Sequence, residues 1–221
     1  MSTGTRVDDV DTTPSPGPGR RERKVAETRR SILDHARRLF EAQGYAETTV
    51  EQIAAAADVA PRTFFRYFPT KESLLFANFD EVRRDMLVEL RARPHDEAPL
   101  QSVVVALRSM AAAIEARRDD IVWGFRLSAE QNVAGVYERT MLKEDTNAQL
   151  AAFIAERLGV DPEVDPRPLT WSMAIMGVFT SAMKFTNGEH AAPRSGGAVA
   201  QFDELLDSTA AALGSLGETR R

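Results

Sequence analysis

From residue 20 onward, apolar positions recur at helical spacing almost without interruption. Ile32, Leu33, Ala36, Leu39 and Phe40 lie three or four residues apart and Gly44 marks a stop, which predicts a first helix led by the cluster Arg20, Arg21, Arg23 and Lys24. Thr49 and Gln52 fit a capping box ahead of a short second helix with Val50, Ile53, Ala54 and Ala57 on its apolar face. That helix ends near Asp58. Pro61 suits the first position of a third helix, Pro69 interrupts it, and Thr70 can cap a fourth from about Lys71 to Arg93. Beyond a linker bracketed by Pro94 and Pro99, helical periods run at about 100–118, 119–131, 134–158, 166–188 and 197–214. Asp165–Pro166 reads as a helix start and Gly159 as a helix end. No segment alternates as a strand and no repeat is visible. The predicted fold class is all-α, with about nine helices.

Charge divides the chain. Its 221 residues hold 28 Lys/Arg and 33 Asp/Glu, a formal net of -5. Residues 20–71 carry 11 basic against 7 acidic side chains, a net of +4, whereas residues 72–221 carry 16 against 23, a net of −7. A short basic region joined to a larger acidic body suggests one surface facing a polyanion and another facing something else. The absence of cysteine excludes disulfides and thiolate chemistry, and His35, His95 and His190 lack metal-ligand spacing. No metal and no cofactor is expected. Residues 1–19 are rich in Pro and Gly, polar throughout and without an apolar stretch, so they read as a disordered tail and not as a secretory signal. The longest apolar run, Trp171 to Met183, is too short to span a bilayer and includes Ser172, Thr180 and Ser181. A soluble, cytoplasmic protein is expected.

Two short helices joined by a tight turn across residues 49–71 are the ingredients of a helix-turn-helix. On a helical wheel started at Phe64, steps of about 100° bring Phe68 to about 40° and Arg66 to about 200°. Arg62 falls at about 160°, Phe65 at about 100°, Thr63 at about 260° and Tyr67 at about 300°. Phe64 and Phe68 therefore point inward with Ile53 and Ala57. Arg62 and Arg66 point outward, flanked by Thr63, Phe65 and Tyr67. Arginine can donate two bonds to guanine O6 and N7, and Phe65 can meet a thymine methyl. Tyr67 and Lys71 would reach phosphates, Lys71 aided by the positive end of the fourth helix, and Thr49 sits where backbone amides can bind another phosphate. A packed helical hairpin with a solvated basic face accounts less well for the aromatic density.

Residues 24–75 resemble the N-terminal DNA-binding domain of the TetR family of transcriptional regulators. The matching residues are Phe40, Gly44, Thr49–Val50, Ile53–Ala54, Val59, Thr63, Phe64, Tyr67–Phe68, Lys71 and Leu74. Two positions depart from the pattern. Asp58 stands where the family usually has glycine, in a turn expected to be left-handed, and Phe65 replaces a more usual tyrosine. The resemblance implies a homodimer that sets each third helix in a major groove of a palindromic double-stranded operator, most often as a repressor responding to a small-molecule effector. The implied domains are a tail at 1–19, the DNA-binding domain at 20–71, a ligand-binding and dimerisation body at 72–214 and a flexible tail at 215–221. The arm Arg20–Arg23 could touch phosphates or the minor groove, but reads better as a flexible tail making diffuse electrostatic contacts.

The body is rich in large, soft side chains suited to an adaptable cavity. Met110, Trp123, Arg126, Phe153, Trp171, Met176 and Phe179 are the candidate effector contacts, with Glu130 and Asn132 as further polar groups. The last two helices are the candidate dimer interface, where Ala174, Gly177, Ser181 and Ala182 would permit close approach, linked by residues 186–197. In the implied mechanism an effector favours a subunit arrangement that fits the operator poorly, with the fourth helix as the lever. An enzyme is disfavoured: there is no zinc-type histidine pair, no phosphate-binding glycine loop and no Gly-x-Ser-x-Gly elbow. The remaining alternative is a helical ligand-binding or protein-interaction module without specific DNA binding. The presence of Arg62, Arg66, Tyr67 and Lys71 argues against it.

Overall fold

The computed structural model describes residues 19–133, 145–186 and 197–218. Among them lie nine α-helices and no strand. They are α1 (Arg20–Gln43), α2 (Val50–Ala56), α3 (Pro61–Tyr67), α4 (Ala77–Ala92), α5 (Pro99–Ala116), α6 (Arg118–Glu130), α7 (Asp145–Leu158), α8 (Arg167–Thr186) and α9 (Ala198–Glu218). A 3-10 turn, Glu72–Leu74, precedes α4. The chain separates into two compact units between Tyr67 and Phe68.

In the first unit α1 packs on α2 and α2 on α3 around Ile32, Ala36, Phe40, Tyr45, Ile53, Ala54 and Phe64, all buried. Gly44 ends α1 at φ 90, its N–H donating to Phe40 O at 3.0 Å, and the Phe40 and Tyr45 rings meet at 5.0 Å. Arg20–Arg23 correct the expectation of a flexible arm, because they form the opening turn of α1. Residues 1–18 lie outside the described residues.

The second unit is an apolar core built from all six of its helices. Met86 and Leu90 of α4, Leu107 and Met110 of α5, Ile121 of α6, Leu150 and Ile154 of α7, Phe179 of α8 and Phe202 of α9 are buried in one cluster. The fourth helix was expected to run unbroken from Lys71, but α4 starts at Ala77. Leu74 N–H donates to Lys71 O and Leu75 N–H to Glu72 O, both with three-residue spacing, and Ser73 Oγ donates to Thr70 O at 2.6 Å. Leu74, Leu75, Phe76 and Ala77 are all buried, and four consecutive buried side chains cannot share one face of an α-helix. The tighter turn redirects the chain so that each of them is covered. Gly159 ends α7 at φ 64, and α9 continues to Glu218, past the end expected at 214. The helix expected at 134–158 is described only over Asp145–Leu158; residues 134–144 and most of the link at 186–197 lie outside the described residues.

Two local devices lock this unit. The first is Gly124, on the face of α6 that meets the start of α4. A Cβ there would overlap the Leu75 carbonyl oxygen and lie 2.9 Å from its carbon. Phe125 then stands edge-on to Phe76 at 5.3 Å and Phe79 at 5.6 Å. The second is a polar clasp. Arg93 grips Glu97 with two bonds, Ser102 Oγ donates to Glu97 Oε2 at 2.6 Å, and Arg157 donates to the carbonyls of Arg93 at 2.7 Å and Pro94 at 2.5 Å. The hydrogen bonds from Arg93 and then Ser102 hold the Glu97 carboxyl well below its ordinary 4.5, at about 2.

Each device generates a prediction. Gly124→Ala should cost roughly 1–3 kcal/mol in urea unfolding, because the overlap is with backbone and cannot be relieved by a rotamer change; an unchanged midpoint would contradict the close approach. Because the folded carboxyl titrates lower than the unfolded one, Glu97 contributes stability that is complete above about pH 4.5 and lost as pH falls through about 2. Wild type should therefore be more stable than Glu97→Gln at neutral pH, with the gap in melting temperature closing across that window. A gap independent of pH would refute the assignment.

Candidate nucleic-acid interface

The turn between α2 and α3 determines what α3 presents. At the C-terminus of α2, Asp58 N–H donates to Ala55 O at 3.2 Å and Val59 N–H to Ala54 O at 2.9 Å. This is the two-bond pattern of a helix stop with a left-handed residue, and Asp58 stands at φ 53. Aspartate tolerates that conformation better than most side chains, which accounts for its use where glycine would be easiest. The Ala60 carbonyl then accepts from Thr63 and Phe64, starting α3 with Pro61 in its first turn.

At the other end of α2 the capping box is complete. Gln52 N–H donates to Thr49 Oγ1 at 3.2 Å and Thr49 N–H to Gln52 Oε1 at 2.9 Å. Gln43 extends it from α1, its Nε2 donating to Gln52 Oε1 at 3.0 Å and Thr48 Oγ1 at 3.3 Å. Sequence patterning missed Gln43, since a polar residue at a helix end carries no periodic signal. Thr49 thus uses its N–H and one oxygen lone pair internally. What it can offer a phosphate is its hydroxyl hydrogen.

On α3, Phe64 is 0% exposed and Phe65 is 50% exposed, their rings edge-to-face at 5.4 Å. Arg62 and Arg66 are exposed; Thr63 and Tyr67 are half-buried at the flanks. The helix ends at Tyr67, and Phe68 is buried in the second unit. One contact was not foreseen. Arg66 Nη2 donates to the Tyr67 hydroxyl at 3.2 Å and its guanidinium carbon lies 5.0 Å from the Tyr67 ring centre. The adjacent aromatic thus holds the arginine near the outer face. Lys71, by contrast, opens a single 3-10 turn in the second unit, so the help expected from an α-helix dipole is missing there.

The candidate effector residues divide into groups. Met110, Phe153 and Phe179 are buried in the core of the second unit, with Trp171 and Met176 half-buried against it. Trp123 is half-buried on α6. Arg126 is exposed, its side chain 69% accessible and paired loosely with Glu130 at 3.8 Å, and Asn132 is exposed at φ 54 in the turn that ends α6. Sequence reasoning missed Thr146 and Gln201, buried side chains whose oxygens find no hydrogen-bond partner among the described residues. On α8, Leu169, Met173, Gly177 and Ser181 form an exposed stripe at four-residue spacing, and Ala174 is exposed beside it. Ala182 corrects an expectation: it is fully buried in the core of its own chain and does not face outward. Among the described residues no cluster of acidic, His or Cys side chains could hold a metal, and no helix is long and apolar enough to cross a membrane.

Comparison with known proteins gives this geometry its setting. Residues 32–77 match the family described as bacterial regulatory proteins, tetR family, and residues 97–215 match the MftR C-terminal domain. The chain is 38% identical over 160 residues to the HTH-type transcriptional regulator TcmR of Streptomyces glaucescens, an alignment covering 69% of this chain and 70% of TcmR. It is 31% identical over 139 residues to the HTH-type transcriptional regulator RutR of Escherichia coli, covering 63% of this chain and 62% of RutR. A crystal structure of a TetR-family transcriptional regulator from Mesorhizobium loti superposes with a TM-score of 0.52 at 18% identity, covering 86% of this chain and 96% of that one, a likeness of fold. A three-helix unit with outward arginines and a separate helical body both match models of one family, and the chain belongs to the TetR family of ligand-responsive, DNA-binding transcriptional regulators.

Proposed function

We propose that this chain is a homodimeric, cytoplasmic repressor that reads a palindromic operator with the outer face of α3 and releases it when a small molecule enters the α5–α9 body. The observation that carries the reading is the division of α3: Phe64 is wholly buried while Arg62, Phe65 and Arg66 stand exposed side by side. Arg62 and Arg66 are the base-reading side chains, Phe65 the contact to a thymine methyl, and Thr49, Thr63, Tyr67 and Lys71 the groups for phosphates and sugars. Tyr67 also steadies the guanidinium of Arg66. No reaction chemistry is assigned to any of these groups.

Dimerisation is assigned to α8 and α9. Leu169 and Met173 are 52% and 56% exposed, large apolar side chains that a monomer would leave in water, and open space around Gly177 lets a second helix approach closely. A single seven-residue reading helix buries too little surface for useful specificity, so two-fold symmetry is also what recognition needs.

The effector is assigned to the core bounded by Met110, Phe153 and Phe179, with Thr146 and Gln201 as polar groups that a bound molecule would satisfy. Its effect on the operator equals its preference for one subunit arrangement over another. The close seat of Gly124 and Phe125 on Leu75, Phe76 and Phe79 supports α6 as the element that passes a shift to the start of α4.

These assignments are tested by titrating labelled duplexes, with the operator first selected from random sequences. Arg66→Ala should weaken operator binding by roughly 1–3 kcal/mol and relax base preference at one position per half-site. Lys71→Ala should weaken all sequences alike and lower the salt slope by about one unit per removed contact. Unchanged operator preference in Arg66→Ala would refute the base contact. Met173→Glu should convert the dimer to monomer in sedimentation without loss of helicity, and a persistent dimer would place the interface elsewhere.

A further inference from the structure

α1 is longer than its packing requires. Its buried side chains begin at Ile32, and every described side chain from Arg20 to Glu27 is exposed. Two helical turns, about 12 Å at the usual rise, thus extend past the last buried anchor. Charge is concentrated in this overhang. Arg20, Arg21, Arg23 and Lys24 stand with one acid, Glu22, whereas in the rest of the helix Arg29, Arg30, Arg37 and Arg38 are interspersed with Glu27, Asp34 and Glu41. Farther along, Arg37 pairs with Glu41 at 2.9 Å; none of the ion pairs among the described residues involves the four leading cations.

Helix physics disfavours this arrangement in the free protein. The first turn of a helix carries a partial positive charge, so cations there repel the helix's own end, and no buried side chain offsets the repulsion. A polyanion would turn both terms favourable. The geometry points to Arg20–Lys24 as a basic spur that binds the sugar–phosphate backbone of the operator duplex outside the bases read by α3, adding affinity without base preference.

The spur belongs to the same compact unit as α3, and duplex DNA offers one phosphate charge per ~1.7 Å of axis, dense enough to engage several of the four cations at once. An anionic membrane fits less well, because Val25 is the only large apolar side chain from Arg20 to Glu27 and gives the turns no apolar face to insert. The inference rests on the DNA-reading function proposed above and adds a second contact surface to it. It also explains why the cluster is helical: a rigid spur presents its charges at fixed spacing, where a loose tail would lose entropy on binding.

The test replaces all four cations, R20Q/R21Q/R23Q/K24Q, in the full chain. Glutamine keeps helix propensity and removes the repulsion at the helix end, so circular dichroism should show helicity equal to or above wild type. Both proteins are titrated against the selected operator and a scrambled duplex across a range of KCl. The spur predicts weaker binding to both duplexes, an affinity ratio between them within about twofold of wild type, and a salt slope lower by at least about 1.8, one phosphate per subunit of a dimer. An unchanged slope overturns the spur. A changed affinity ratio overturns its sequence-independence and makes it a base reader. Should wild type prefer no duplex while the variant still loses slope, the spur stands and operator reading by α3 fails. If wild type binds no DNA at all, both fall.

Discussion

The burial of one ring, Phe64, determines which side of α3 faces outward. A helix of seven residues has almost no stability of its own in water, since nucleation fixes several residues for each hydrogen bond gained. α3 persists because Phe64 is wholly buried in a unit with Ile53, Ala54 and Phe40, and because Asp58 turns the chain sharply enough to lay α3 against α2. With Phe64 fixed inward, the 3.6-residue period leaves Arg62, Phe65 and Arg66 no choice but to face out. The same packing that stabilises this short element thus sets its exposed arginine face.

The body follows a different logic. Its core is broad and apolar, and its specificity of shape comes from a few polar or steric locks. Glu115 of α5 accepts from the first N–H of α9, Ala198, and Arg108 Nε meets Asp203 Oδ1 at 2.6 Å, so α5 and α9 are tied at two levels. The Arg157 clasp ties α7 to the loop between α4 and α5. Gly124 lets α6 approach the backbone at Leu75 more closely than any other residue would allow. Soft side chains pack adaptably within such a frame, while the locks fix how its helices meet.

Much of this was legible in the sequence, for identifiable reasons. Helix existence came from apolar periodicity, and the Thr49–Gln52 cap, the left-handed Asp58 and the Gly44 and Gly159 stops came from local chemistry that acts within a few residues. Nonlocal outcomes were not legible. The break at Glu72–Leu74 arises because four successive apolar side chains all find cover, and Lys71 lost its expected helix dipole with it. The Ala182 assignment failed because a small residue looks the same to the sequence whether it faces its own core or a second copy. Arg20–Arg23 read as a flexible tail because no apolar period covers them, and the structure makes them helical nonetheless. The contact between Arg66 and Tyr67 joins neighbours that helical spacing places on different faces, so no wheel reveals it.

The most direct test of the central claim is methylation interference on an operator selected from random duplexes by the full-length protein. If Arg62 and Arg66 read the major groove, methylating guanine N7 should abolish binding at a few guanines arranged symmetrically in two half-sites about one helical turn apart or a small multiple of it. Selection that yields no preferred sequence, or a preferred sequence whose guanines can all be methylated without loss of binding, would contradict the account of α3 as the reading helix.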